Sequence, residues 1–181
     1  MATWDPADEL NNPPDFLLVQ NGFISLFFQQ SVLEDAAEWL ALHGYRVISL
    51  DAAEWQDLEQ MHVDIASALE FPAFYGGSFD ALNDCLSEVA VGSYGWSVAA
   101  DTGLVLVLRG YAEFSACDPV GAHRLLDVFA RQASYAALFG HRLMCLVHSS
   151  DPQLSVPPVG GTTVMWNYRE VADSARQMRG L

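Results

Sequence analysis

Lysine is missing from this 181-residue chain, and its fixed positive charge comes from eight arginines alone. Without lysine there is no Schiff-base or pyridoxal-anchoring amine and no P-loop lysine, which excludes several enzyme classes at once. Cysteine is scarce. Cys85, Cys117 and Cys145 cannot all pair with one another, and their wide spacing fits no zinc motif, so no metal and no cofactor is expected. No apolar run approaches the ~18 residues of a membrane span. The opening MATWDPADEL lacks the basic segment of a secretory signal, so the expected location is cytoplasmic, with reduced thiols. Also missing are G-x-S-x-G, G-x-G-x-x-G, Walker A and H-E-x-x-H, and the five histidines (His43, His62, His123, His141, His148) are scattered.

What is present describes a globular protein. Hydrophobic residues make up 51% of the chain and aromatics 12%, enough for one well-filled domain with extensions. The formal net charge is −15. A field of that sign repels nucleic acid and anionic membranes and attracts basic proteins.

Residues 1–15 are polar and proline-containing and read as a mobile arm. Phe16–Val19, the Asn21-Gly22 turn signal and Phe23–Phe28 together predict a hairpin packed into the core. Ser31, with Glu34 three residues on, predicts a capped helix to about His43, with Val32, Ala36, Trp39 and Leu40 inward and Gly44 as its stop. Tyr45–Leu50 follows as a strand, completing a parallel β-α-β unit. Asp57–Glu70 is an amphipathic helix with Leu58, Met61, Ile65 and Leu69 inward; His62 and Asp64 are expected on its surface. The continuous apolar run Gly103–Leu108 predicts a central strand covered on both faces. A short helical turn over Tyr111–Ala116, a helix from Asp118-Pro119 to about Phe139, and a strand at Leu143–Val147 complete the core. His43 and His141, at element ends, are expected to be structural. Ser149–Gly161 reads as a linker, before a strand-like TVMW and a helix over Arg169–Met178. There is no internal repeat beyond the α/β alternation.

The stretch Glu70–Val89, EFPAFYGGSFDALNDCLSEV, stands apart. Pro72 and Gly76-Gly77 break the preceding helix, and Ser78 can cap a new one. In that helix Phe79, Leu82, Leu86 and Val89 form an apolar stripe. Asp80, Asp84 and Glu88, four apart, share another face. Like charges at this spacing cost a helix roughly 0.2–0.5 kcal/mol per pair, and Glu88 near the C-terminus is opposed by the helix dipole. Two readings of this face stand: the solvated side of an acidic protein, or a surface awaiting a cationic partner. Catalysis is disfavoured. An adjacent carboxylate raises the Cys85 thiol pKa, and an exposed helix face gives Asp80 and Asp84 no pocket to separate their pKa values.

Pro72, Tyr75-Gly76, Asp80-Ala81-Leu82 and Asp84-Cys85-Leu86 align without a gap on P-x-Y-Y-G-x-N-L-D-A-L-W-D-C-L, so the segment resembles the barstar family, intracellular inhibitors of secreted bacterial ribonucleases. The resemblance extends more loosely over about Tyr45–Ser150. It implies an α/β, barstar-like three-layer fold, a small parallel sheet packed by helices. The implied division is 1–44 as an N-terminal extension carrying an added strand and helix, 45–150 as the inhibitor domain, and 151–181 as a C-terminal linker and helix. It also implies a non-enzymatic role: blocking the active site of a basic, secreted, guanyl-specific ribonuclease.

In that reading Asp84 enters the enzyme's phosphate pocket, Asp80 meets a basic side chain at the rim, and Phe74 packs on the catalytic histidine. Tyr75 and Gly76 shape the loop, while Asn83 and Glu88 complete the partner-binding set. The family has tyrosine at the position of Phe74, tryptophan at Asn83, another tryptophan near Val89, and a binding-edge glutamate in the region of Arg131. These departures point to a partner other than barnase itself, such as a streptomycete-type ribonuclease, with Tyr94 and Trp96 either replacing the lost aromatic contacts or packing in the core. The alternatives are an immunity protein for an unrelated basic toxin nuclease and a non-inhibitory interaction module. Oligomeric state is not legible.

Overall fold

The run Gly103–Arg109 forms the centre of the molecule. As β3 (Gly103–Arg109) it is buried at every position but the last. Its neighbours are β2 (Tyr45–Asp51) on one side and β4 (Leu143–His148) on the other, with β1 (Ile24–Phe27) beyond β4 and β5 (Met165–Trp166) outermost. All pairings in this β2-β3-β4-β1-β5 sheet are parallel. The computed structural model describes residues 12–171.

Side chains alternate along the strands and so build two cores. Leu104, Leu106 and Leu108 of β3, with Leu143, Cys145 and Val147 of β4, face α4 (Phe79–Ala90), α5 (Tyr111–Cys117) and α6 (Pro119–Ala137). Val105, Val107, Met144 and Leu146 face the opposite way, onto α1 (Pro14–Val19) and α2 (Gln30–Leu42). The sheet is thus the middle of three layers, which is the α/β, barstar-like arrangement expected. A two-sided apolar run requires this, because either face left bare would expose several leucines or valines at ~1.5–3 kcal/mol each.

Several expectations require correction. Phe16–Phe28 is not a hairpin: Pro14–Val19 is helical, with Pro14 in its first turn, and Ile24–Phe27 joins the sheet parallel to β4. Proline suits a helix start, where its missing N–H costs nothing. Asp15, placed by the sequence in a mobile arm, is buried; it accepts hydrogen bonds from the Phe16 amide (2.9 Å) and the Tyr45 hydroxyl (2.8 Å). Residues 1–11 of that arm lie outside the described residues.

Ser31 does not cap α2, whose N-cap is Gln29 and which has no side-chain cap of its own. A distant residue supplies acceptors instead: the Glu170 carboxylate takes the amides of Phe28 (3.1 Å) and Gln29 (2.8 Å). Glu170 is fully buried, and Asn167 also donates to it. The Ser149–Gly161 linker is a packed strap. Val156 and Val159 are buried, the Gly160 amide donates to Asp127 (2.8 Å), and the Pro158 carbonyl lies 3.1 Å from a His123 ring nitrogen. Of the helix expected over Arg169–Met178, residues 169–171 form a turn and 172–178 lie outside the described residues.

Candidate functional site: the loop and acidic face of the fourth helix

α3 (Leu58–Ala68) begins on Asp57, whose carboxylate accepts the Gln60 amide, and its inward residues Met61, Ile65 and Leu69 are buried. It ends in a tight reversal: Glu70 takes a left-handed conformation (φ 57°) and the Phe71 amide returns to the Ala66 carbonyl at 2.9 Å. A non-glycine residue there carries some strain, which the returning hydrogen bond offsets. Pro72 then turns the chain, accepting from the Tyr75 amide at 2.9 Å. Gly77 has φ 61°, and no atom lies within 4 Å of where a side chain on Gly76 would begin. Ser78 caps α4, its hydroxyl accepting the Ala81 amide at 3.2 Å.

Residues of this loop and helix divide into outward and inward sets. Phe74 is 83% exposed, an unusual position for a large apolar ring. Gly76, Asp80, Asp84 and Glu88 are exposed as well. Phe79, Leu82, Leu86 and Val89 are buried, as their spacing predicts. Among the described residues the ion pairs are Arg46–Glu70, Arg131–Asp127 and Arg169–Asp35, so none of the described arginines neutralises Asp80, Asp84 or Glu88. The nearby Arg124 instead lies over the Phe79 ring, 4.7 Å from its centroid, a cation–π contact. Glu88 is the least free of the three carboxylates, since it accepts the Ser93 hydroxyl at 2.9 Å.

Tyr75 and Asn83 play different parts. Tyr75 is half-buried, packs edge-on against Phe71, and meets His62 through its hydroxyl. Asn83 accepts from the Gln132 side chain (2.8 Å), which ties α4 to α6. Trp96 is buried, donates to the Val89 carbonyl (2.7 Å) and meets the His141 ring edge-on; it packs in the core and offers nothing at the surface. Tyr94 is half-buried against Phe71. Arg131 is exposed, with its charge engaged by Asp127 at 2.9 Å. The two element-end histidines are structural: His43 and His141 each hold a backbone carbonyl, of Trp39 and Ala90.

His62 was expected on the surface and is buried. Its ring meets Phe79 edge-on at 5.2 Å. Burial lowers the imidazole pKa below its ordinary value. The signal was available: Leu58, Met61, His62, Ile65 and Leu69 follow the period of a single inward stripe. With Phe71, Tyr75 and Phe79, His62 lines an open groove of about 940 Å³ between α3 and the loop, with Glu59, Asp80 and Arg124 also along it. Burial, and then the Cys85 thiol, push the Tyr75 hydroxyl up to about 12. Burial raises the Cys85 thiol, and Asp84 and Glu88 raise it further, so it is a poor nucleophile. Among the described residues no three histidine, cysteine or carboxylate side chains cluster in a way that could hold a metal ion.

The chain is similar to known proteins. A Bacillus subtilis (strain 168) protein named "Putative ribonuclease inhibitor YrdF" is 39% identical over 70 residues, or 39% of this chain and 65% of that protein. The chain therefore spans just under two thirds of that relative's length. The pattern of the family described as Barstar (barnase inhibitor) matches residues 45–148, which takes in β2, α3, the Phe74 loop, α4 and the strands β3 and β4. A match through more than half of the chain, over the same elements that carry the motif, settles the relationship: this protein belongs to the barstar family.

Proposed function

We propose that the protein inhibits a secreted, basic, guanyl-specific bacterial ribonuclease by seating α4 and the Phe74 loop in the enzyme's active site. The observation that carries this reading is the state of Asp80 and Asp84: outward, on a capped helix, and paired with none of the described arginines. An enzyme that binds RNA gathers arginine, lysine and histidine around the phosphates, and carboxylates at helical spacing imitate those phosphates. Because the helix already exists, little ordering is required on binding, and the −15 net charge speeds the encounter with a cationic enzyme. Asp84 fills the phosphate pocket, Asp80 engages its rim, and Phe74 stacks on the catalytic histidine. Tyr75 and Gly76 give the loop its shape.

Titration against a panel of secreted guanyl-specific ribonucleases tests this. Activity is expected to fall to zero at one equivalent of inhibitor, with an association rate that drops as salt is raised. Undiminished activity across the panel would overturn the reading in favour of a different basic partner.

A further inference from the structure

The groove behind the loop contains a titratable group that the acidic face does not use. His62 projects from α3 beneath the loop, buried to 4% exposure, and its Nδ1 meets the Tyr75 hydroxyl. Tyr75 adjoins Phe74 and Gly76, so this contact ties the most exposed apolar ring of the site to the body of the domain. The Tyr75 ring also packs edge-on against Phe71 at the entry to the loop, but the segment beyond it has little to hold it. Gly76 and Gly77 touch no atom with which a side chain could pack, and the Tyr75–Pro72 backbone hydrogen bond is internal to the loop.

The direction of the hydrogen bond follows from both partners. Tyr75 keeps its proton well beyond neutral pH, and burial keeps His62 uncharged there, so the hydroxyl donates and the imidazole accepts. We propose that His62 is the positioning residue of the partner-facing loop: its neutral ring accepts the Tyr75 hydroxyl and holds residues 72–78 against α3, and a proton on that ring releases them. Protonation turns the acceptor into a donor, so the hydroxyl must rotate to accept in its turn, and it places a charge in a buried position against the Phe79 ring, which is what destabilises the closed arrangement.

Charges of both signs share the groove with the His62 ring. Glu59 on α3, Asp80 on α4 and Arg124 on α6 line the groove, and the Cys85 thiol lies behind Tyr75. No ion pair joins His62 to either carboxylate. A histidine that folding holds neutral supports the closed loop above its ordinary titration range and loses that support as pH falls below about 6.5.

The test uses the free, full-length chain, so it does not depend on the inhibitory reading. Amide hydrogen exchange over residues 72–78, corrected for its intrinsic pH dependence, is compared at pH 7 and pH 5.5. One titrating group shifts the opening equilibrium by at most tenfold per pH unit. We expect loop exchange to rise at least about threefold at pH 5.5 while α4 and β3 stay protected. His62→Gln retains an acceptor and does not titrate, so its loop exchange should be flat. Tyr75→Phe should exchange fast at both pH values, and it decides the matter if His62→Gln fails to fold by circular dichroism. An unchanged wild-type loop, an equal rise in His62→Gln, or full protection in Tyr75→Phe at pH 7 would each overturn the proposal.

A second arm rests on the proposed function. The dissociation rate from a secreted guanyl-specific ribonuclease is measured for wild type and His62→Gln at both pH values. The enzyme's own titrations are common to both, so the ratio of rates isolates the loop. A ratio that rises as pH falls supports the proposal, and a constant ratio overturns it. A pH-sensitive loop in a chain that binds no such enzyme sustains the positioning role and overturns the inhibitory reading instead.

Discussion

Carboxylates serve two helices of this molecule in opposite ways. At the start of α2, Glu170 is buried and accepts the Phe28 and Gln29 amides and the Asn167 side chain. Along α4, Asp80, Asp84 and Glu88 repel one another in the open, and among the described residues only Glu88 of the three holds a side-chain hydroxyl. The first arrangement uses negative charge to complete the fold. The second retains it at some cost to the fold, as a site for another molecule would. The same functional group therefore serves stability in one place and binding in the other, and separate measurements distinguish the two.

The sharpest division should come from Asp84→Ala. Inhibition is expected to weaken at least about a hundredfold, roughly 3 kcal/mol, the scale for removing one member of a desolvated interfacial charge pair. Barnase and barstar are the standard example of that scale, so the figure comes from the family and is not deduced from this chain. Glu38→Ala, an exposed carboxylate on α2, should leave inhibition unchanged; equal losses would remove the assignment of α4. Glu170→Ala is expected to do the reverse. Thermal unfolding should show a loss of about 1–3 kcal/mol from unsatisfied amides, a fall of about 2–4 °C per kcal/mol, with stoichiometric inhibition intact.

Phe74→Ala comes next. A ring this exposed contributes little to stability, so the melting temperature should hold while affinity falls about tenfold, as for an apolar side chain buried only in the complex. The smallest effect sharpens the comparison most. Asp84→Asn, judged by chemical denaturation alone, should stabilise the free protein by a few tenths of a kcal/mol by relieving repulsion at i, i±4. A loss of stability there would mean that the carboxylate supports the fold after all.

Local periodicity exposed most of this architecture. The two-sided run at β3, the cap at Ser78, the Asp118-Pro119 start of α6 and the inward stripe of α4 each follow from residues within a few positions of one another. What periodicity could not supply was long-range partnership. Nothing near Ser31 announces that Glu170 serves α2 from the far end of the chain, so a local capping pattern was read where a distant carboxylate acts. The apparent hairpin failed because Asn21-Gly22 signals a turn without saying what flanks it, and β1 found its partner in β4. At the candidate site the acidic face was legible from the four-residue spacing of its carboxylates. The structural role of Trp96 and the burial of His62 depended on which elements pack together, although the stripe that contains His62 already pointed inward.

The three cysteines differ in a way that has practical value. Cys145 lies within the sheet and Cys85 on the buried side of the acidic helix, both with thiols raised by burial, whereas Cys117 is exposed at the end of α5. Toward an alkylating dye at neutral pH the folded chain should therefore behave as though it carried one thiol. A reporter could be attached there to follow association in real time, leaving every carboxylate of α4 as nature made it.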